Sequence, residues 1–256
     1  MDLGCMAISF DRIAKDYDKT RELPKKRMDE IVSALTKEFS DCSTVLDVGV
    51  GTGRFALPLQ EGGVRVIGID IGERMLEKAK EKRVNNLIRA DASKMPFHNK
   101  TIDACLSVHF LHLVSGWRGI LGEIERVSKK KYVSLCYRHH SRHSDPIRQE
   151  YYRFLEEMGH QKSRPGVGET ELLSLMKPDR VEWICTTRET RIVKKALNLL
   201  EKKTFSSQWS IPDDIHRKAM TDLRSMFAQK KTVSHTYTMG LAVWNVETIR
   251  VFLSHA

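Results

Sequence analysis

Between residues 44 and 137 the chain alternates short apolar runs with longer stretches whose apolar residues recur at helical spacing. Runs of four to seven residues read as buried strands, and the amphipathic stretches read as helices. This predicts strands at 44–48, 65–70, 86–90, 102–108 and 131–137 and helices at 53–60, 73–82 and 117–128. Two helices, 8–18 and 25–38, precede them, with Pro24 at a boundary. Such alternation implies an α/β fold, a doubly wound and mostly parallel sheet with helices on both faces. Beyond residue 140 the pattern changes. Pro146–Met158, Glu169–Met176, Glu189–Lys202 and Pro212–Gln229 read as helices. Val181–Thr187 reads as a sixth strand and 235–246 as a seventh, within an alternating stretch from Thr232 to Val246. The expected organisation is a single domain over 1–256. Its seven-stranded core takes 40–140, 180–187 and 232–246, and a helical cap takes 145–179 and 188–230.

Sheets of this kind bind ligands outside the carboxyl ends of their strands. Asp47, Asp70, Asp91 and His109 all fall at or just past those ends. After the first strand, Gly49, Gly51 and Gly53 alternate with other residues before the helix-like Arg54–Leu59. A glycine turn there lets a ligand approach the backbone and offers it amide donors and a helix N-terminus. The dinucleotide pattern Gly-x-Gly-x-x-Gly would need glycine where Arg54 stands. The Gly-x-Gly-x-Gly spacing, with Asp47 two residues before it, disfavours a pyrophosphate. It favours a smaller ligand that lacks phosphates and carries a cationic amino-acid part. Asp70, 21 residues past Gly49, is placed to accept both ribose hydroxyls of an adenosine. Each such charge-assisted bond contributes roughly 1.5–3 kcal/mol. Asp91, followed by Ala92, adds a polar group where an adenine ring would lie. Two of the carboxylates have structural alternatives: Asp47 as the residue that fixes the turn, Asp91 as a helix N-cap.

With these motifs the chain resembles the class I S-adenosylmethionine-dependent methyltransferases. Within them it is most similar to the small-molecule group that includes the ubiquinone/menaquinone-biosynthesis type. The segments that carry the resemblance are Val45–Gly53, Val66–Leu76, Leu87–Phe97, Ile102–Val114, Trp117–Val127 and the N-terminal Tyr17-Asp18-Lys19-Thr20-Arg21. It extends over residues 10–137 and fades beyond. The resemblance implies the Rossmann-like methyltransferase fold, with an antiparallel last strand, and S-adenosylmethionine as cofactor. It implies that Gly49 and Gly51, in the turn with Asp47 and Gly53, line the methionine part, and that Asp70 holds the ribose. Asp91 would bond the adenine amino group, Ala92 would donate its backbone amide nearby, and Ile71 and Met75 would pack on the adenosine. His109 would sit near the sulfonium. Tyr17 and Arg21 would belong to a segment that closes over the cofactor, with Arg21 near its carboxylate; both also read as an ordinary helix face. Where the family has Pro-Gly-Gly before the fifth strand, this chain has Ser128-Lys129-Lys130-Lys131.

Methyl transfer needs chiefly the in-line placement of a nucleophile. A base is needed only if the acceptor keeps its proton at neutral pH. By position His109 is the catalytic candidate, with shaping of the pocket as the alternative, and His112 reads as structural. No metal is required. His139, His140 and His143 with Asp145 have the donor types of a metal site, but adjacent arginines oppose it. Phe205, Trp209 and Trp117 are candidates for the acceptor pocket, though tryptophans so placed usually pack. A cap enclosing the site favours a small-molecule acceptor.

A net charge of +10 and a pI near 9.4 permit contact with nucleic acid. The basic residues are scattered, however, and no aromatic-interleaved strip appears. An RNA or protein methyltransferase is therefore the first alternative, and a non-catalytic S-adenosylmethionine-binding protein the second. A nicotinamide dehydrogenase is disfavoured by the glycine spacing. Five cysteines without a Cys-x-x-Cys pair suit reduced thiols. No apolar run approaches the ~18 residues of a membrane span. Met1–Cys5 lacks the basic region of a secretory signal. Together these predict a cytoplasmic protein with no membrane partner.

Overall fold

The run after Thr44 becomes an interior strand, β1 (Val45–Val48), all four residues of which are buried. The computed structural model describes residues 17–18, 23–140, 145–160 and 165–255. The expected helix at 8–18 lies outside them except for Tyr17 and Asp18. From β1 the chain proceeds through α2 (Ala56–Glu61), β2 (Val66–Asp70), α3 (Glu73–Glu81), β3 (Leu87–Arg89), β4 (Ile102–Ser107), α4 (Trp117–Val127) and β5 (Ser128–His139), with α1 (Lys25–Glu38) before it. Then come α5 (Pro146–Glu157), α6 (Glu169–Leu175), β6 (Arg180–Ile192), α7 (Val193–Glu201), α8 (Asp213–Met226), β7 (Thr232–Asn245) and α9 (Val246–Ser254).

The described strands form one seven-stranded sheet in the order β3-β2-β1-β4-β5-β7-β6. β1 lies parallel to β2 (Val45 beside Val66) and to β4 (Val45 beside Ala104), and β4 lies parallel to β5. The order reverses between β1 and β4, the switch point at which such sheets place ligands. β7 runs against both its neighbours. Tyr132 stacks on Trp244, with ring centroids 5.3 Å apart, while the His140 amide donates to the Thr236 carbonyl. On the other side the Asp179 amide donates to Val243 and the Val193 amide to Lys231.

The chain divides into two compact units, 1–136 with 165–185 and 240–256, and 137–164 with 186–239. In the first, Leu46, Val48, Ile69, Leu121, Ile124 and Trp244 form part of one buried core. α6, expected within the cap, belongs to this unit, and Leu172 and Met176 join its core. In the second, α5, α7 and α8 share a separate core that includes Tyr151, Leu155, Leu200 and Leu223. Asp145 caps α5 by accepting from the Ile147 and Arg148 amides, and also pairs with Arg191 at 2.7 Å.

Three elements differ from expectation. The helix predicted from Glu189 begins at Val193, because 189–192 extend β6. Cross-strand bonds to β7 hold that extension: Tyr237 Oη donates to Glu189 at 3.2 Å, and the hydroxyls of Thr190 and Ser234 lie 2.8 Å apart. β5 begins at Ser128, directly after α4. There the lysine run replaces a turn, and each lysine takes a carboxylate: Lys129 on Asp103, Lys130 on Asp41, Lys131 on Glu38 and Asp41. The third difference is α9, which the sequence reading lacks. It packs on α4 through Trp117 and Phe252, whose ring centroids are 6.2 Å apart.

Candidate active site

At the end of β1 the Gly49 and Val50 amides both donate to the Ile69 carbonyl at 2.9 Å, closing the turn against β2. Gly49, Gly51 and Gly53 have φ of +78°, +55° and +73°. This is left-handed backbone that favours glycine. A Cβ at Gly49 would lie 2.4 Å from the Phe110 ring, and one at Gly51 would lie 3.2 Å from Met75 Cε. Both sit where the turn meets the pocket wall. At Gly53 a Cβ would meet Val84 Cγ2 at 2.5 Å, so this third glycine serves packing behind the turn.

The turn is tied to β2 through Asp70. One carboxylate oxygen accepts the Gly51 amide at 2.9 Å and the other accepts the Gly72 amide at 2.8 Å. Two fixed donors hold this carboxylate in one orientation, and each oxygen has further acceptor capacity. Asp91 accepts the Ser93 amide at 2.8 Å in a turn, and among the described residues no helix begins there, so it is not the helix N-cap offered as its alternative. Asp91 also lines the pocket.

These residues open onto one pocket at the carboxyl ends of the strands. Tyr17, Gly49, Gly51, Asp70 and Ile71 line it, as do Met75, Asp91, Ala92 and His109. Of the other expected residues, Asp47 and Gly53 lie off the wall, and Arg21 lies outside the described residues. The sequence reading missed the apolar part of the wall, notably Phe110, Leu113 and Val114. Apart from Phe110, adjacent to His109, these residues carry no signal that separates lining from core. Among the described residues, no lysine or arginine lines the cavity.

Asp47 is buried beneath the turn, only 4% exposed. Burial, and secondarily the charge of Asp70, push its carboxyl up to about 7. Asp18 went unassigned in the sequence. It accepts from the Thr52 hydroxyl at 2.6 Å and pairs with Lys82, which also donates to the Thr52 carbonyl. These contacts tie the Tyr17–Asp18 segment to the glycine turn.

His109 carries φ of +54°. A non-glycine residue in this region costs on the order of 1–3 kcal/mol and persists where its surroundings hold it. Its Nδ1 lies 3.0 Å from Glu169 Oε1, and His112 Nδ1 lies 3.8 Å from the same oxygen. Glu169 stands 60 residues from His109 in sequence and had no signal there. Burial raises its carboxyl, but the His109 hydrogen bond and the charges of His109 and His112 outweigh this and bring it down to about 2.

The proposed acceptor-side aromatics are packing residues. Trp117 lies in the first unit's core and off the cavity wall. In the second unit, Phe205 is buried under Arg148, and Trp209 Nε1 donates to the Lys203 carbonyl at 2.8 Å. His139 stacks with Tyr137, and His140 Nε2 lies 2.5 Å from Thr238 Oγ1; His143 lies outside the described residues. Among the described residues, no group of three or more His, Cys, Asp or Glu could hold a metal ion.

Comparison with known proteins agrees with this geometry. A family profile described as a methyltransferase domain matches residues 46–136. The phosphatidylethanolamine N-methyltransferase of Cereibacter sphaeroides is 30% identical over 57% of this chain and 74% of its own length. The demethylmenaquinone methyltransferase of Tropheryma whipplei is 32% identical over 57% of this chain, and the match spans 64% of that protein. A crystal structure of an S-adenosylmethionine-dependent methyltransferase from Thermotoga maritima aligns with a TM-score of 0.51 at 18% identity. It covers 91% of this chain and 97% of that one, a likeness of fold.

Proposed function

The chain belongs to the class I S-adenosylmethionine-dependent methyltransferases, and we propose that it methylates a small-molecule acceptor from the pocket at the β1–β4 switch point. The observation that carries this reading is the set of groups that line the pocket. Carboxylates at Asp70 and Asp91, a glycine cradle and an apolar wall stand there without a lysine or arginine among the described residues. Among the described lining residues a pyrophosphate would meet two carboxylates and no lysine or arginine, whereas a cationic nucleoside without phosphates is matched. Asp70 would accept the ribose hydroxyls, Asp91 the adenine amino group, and Ile71 and Met75 would flank the ring. Gly49 and Gly51 would give the methionine part room beside Phe110, under the segment that carries Tyr17. When bound, the cofactor supplies an activated methyl group on sulfur, so the protein's task is placement.

Two observations favour a small acceptor over RNA. The Lys129–Lys131 run is consumed by ion pairs with Asp103, Asp41 and Glu38. The two named relatives act on a phosphatidylethanolamine and a demethylmenaquinone, so the likeness selects the cofactor rather than one acceptor. Among the described residues, no helix is long and apolar enough to cross a membrane. The test is to incubate the protein with methyl-labelled S-adenosylmethionine and an ultrafiltrate of small metabolites, or with the retained RNA and protein. Label should move into the ultrafiltrate; label confined to RNA or protein would contradict the reading.

A further inference from the structure

Five non-glycine residues among those described have positive φ, and of these His109 alone lines the pocket. The others (Arg83, Asn86, Lys100 and Lys203) lie away from it. The strained backbone of His109 is matched by an over-determined partner. Glu169 opens α6, where a carboxylate also faces the positive end of the helix. The segment just before it is pressed onto the turn that follows His109. A Cβ at Gly166 would lie 2.0 Å from the Leu111 carbonyl oxygen and 2.4 Å from that of Val114. The Gly166 amide donates to the His112 carbonyl, and Val167 is buried in the core. Only glycine permits that approach, and it carries Glu169 to within 3.0 Å of His109 Nδ1. His112, on the same turn, is farther from Glu169 and off the pocket wall. The charge of Glu169 also reaches Tyr132 of β5, whose hydroxyl lies 2.7 Å from Ser107 Oγ.

We propose that Glu169 is a positioning residue that orients His109 as the general base of methyl transfer, and that the acceptor therefore bears an ionisable O–H or N–H. This rests on the reading of the pocket as the methyl-transfer site. With Nδ1–H donated to Glu169, Nε2 on the opposite edge of the ring takes the acceptor's proton. The acceptor's lone pair forms the new bond to carbon as the S–C electron pair leaves on sulfur, which becomes a neutral thioether. The positive charge lost from sulfur then resides on the imidazolium, beside a carboxylate that is already ionised. A carboxylate in this place fixes the tautomer and stabilises the charged ring without accepting the proton itself. An acceptor with a free lone pair and no proton to lose would have no use for the pair.

The test has two arms. Protein carrying ¹⁵N-labelled histidine is examined by NMR, with and without S-adenosylhomocysteine, at a pH where the ring is neutral. His109 should show a protonated Nδ1 and an unprotonated Nε2. Glu169→Gln, whose amide can donate to the ring, should move the proton to Nε2. A wild-type ring protonated at Nε2 overturns the proposal even if the variant fails to fold. In the second arm, turnover with the metabolite ultrafiltrate should fall roughly 100-fold in kcat for Glu169→Gln. KM and S-adenosylhomocysteine affinity should stay within about threefold, and Glu169→Asp should recover part of the loss. Unchanged kcat in the glutamine variant overturns the proposal. No turnover with the wild type would instead count against the small-acceptor reading, and the tautomer would still decide the role of Glu169.

Discussion

Asp70→Ala is expected to weaken S-adenosylhomocysteine binding about 100-fold or more. The carboxylate accepts two backbone amides, from Gly51 and Gly72, and would accept two ribose hydroxyls. Charge-assisted bonds of this kind contribute roughly 1.5–3 kcal/mol each. Loss of the two ribose bonds alone therefore removes about 3 kcal/mol at the low end, or about two powers of ten in Kd. The substitution also leaves the Gly51 and Gly72 amides without their acceptor, which loosens the cradle around the methionine part. Asp70→Asn should lose less, since its amide oxygen can still accept. Titration calorimetry reads both. A Kd for Asp70→Ala within threefold of wild type would contradict the ribose assignment and, with it, the orientation of the ligand in the pocket.

Asp47 is expected to make the ligand-free protein lose stability as the pH rises from about 4 to about 7. Its folded carboxyl is pushed up to about 7 from an ordinary 3.8 by burial and by Asp70. Across that window the unfolded chain has released this proton and the folded protein has not. The unfolded state thus binds fewer protons, and stability falls with pH. At about 1.4 kcal/mol per unit, the three-unit gap is worth on the order of 4 kcal/mol, present in full below 3.8 and lost by pH 7. Glu169 acts in a different range. Its depressed carboxyl contributes stability above about 4.5 that disappears as the pH falls towards 2. His139 and His216, both lowered by burial, oppose the Asp47 slope near neutrality, so the comparison must be with a variant. Asp47→Asn should match the wild type near pH 4 and exceed it by several degrees in Tm near pH 8. Parallel Tm curves for the two proteins would show that Asp47 is ionised in the fold.

Legibility of this site in the sequence followed the range of the interactions. The glycine turn, Asp70 and Asp91 were readable because each is a local event at the end of an apolar strand, at a spacing the fold imposes. Their convergence on one cavity follows from parallel strands in register. Glu169 was not readable, because its partner lies 60 residues away and the approach depends on Gly166. Asp18 was hidden for the same reason, being joined to Thr52 and Lys82 only by folding. The ion pairs of the lysine run at the start of β5 carry no sequence signal, because Asp41, Glu38 and Asp103 reach it only through folding. Residues 189–192 carry no strong preference of their own, and bonds to β7 made them strand. α9 is short and follows a strand without a break; its helical form comes from packing on α4.

The central claim is that the pocket beside β1 takes a phosphate-free, cationic nucleoside. Titration calorimetry of the purified protein with S-adenosylmethionine, S-adenosylhomocysteine and NAD tests it most directly. Micromolar binding of the two sulfur nucleosides, with no heat from NAD, is the predicted result. Preference for NAD, or no binding of any of the three, would contradict the assignment of the glycine turn, Asp70 and Asp91 to an S-adenosylmethionine site.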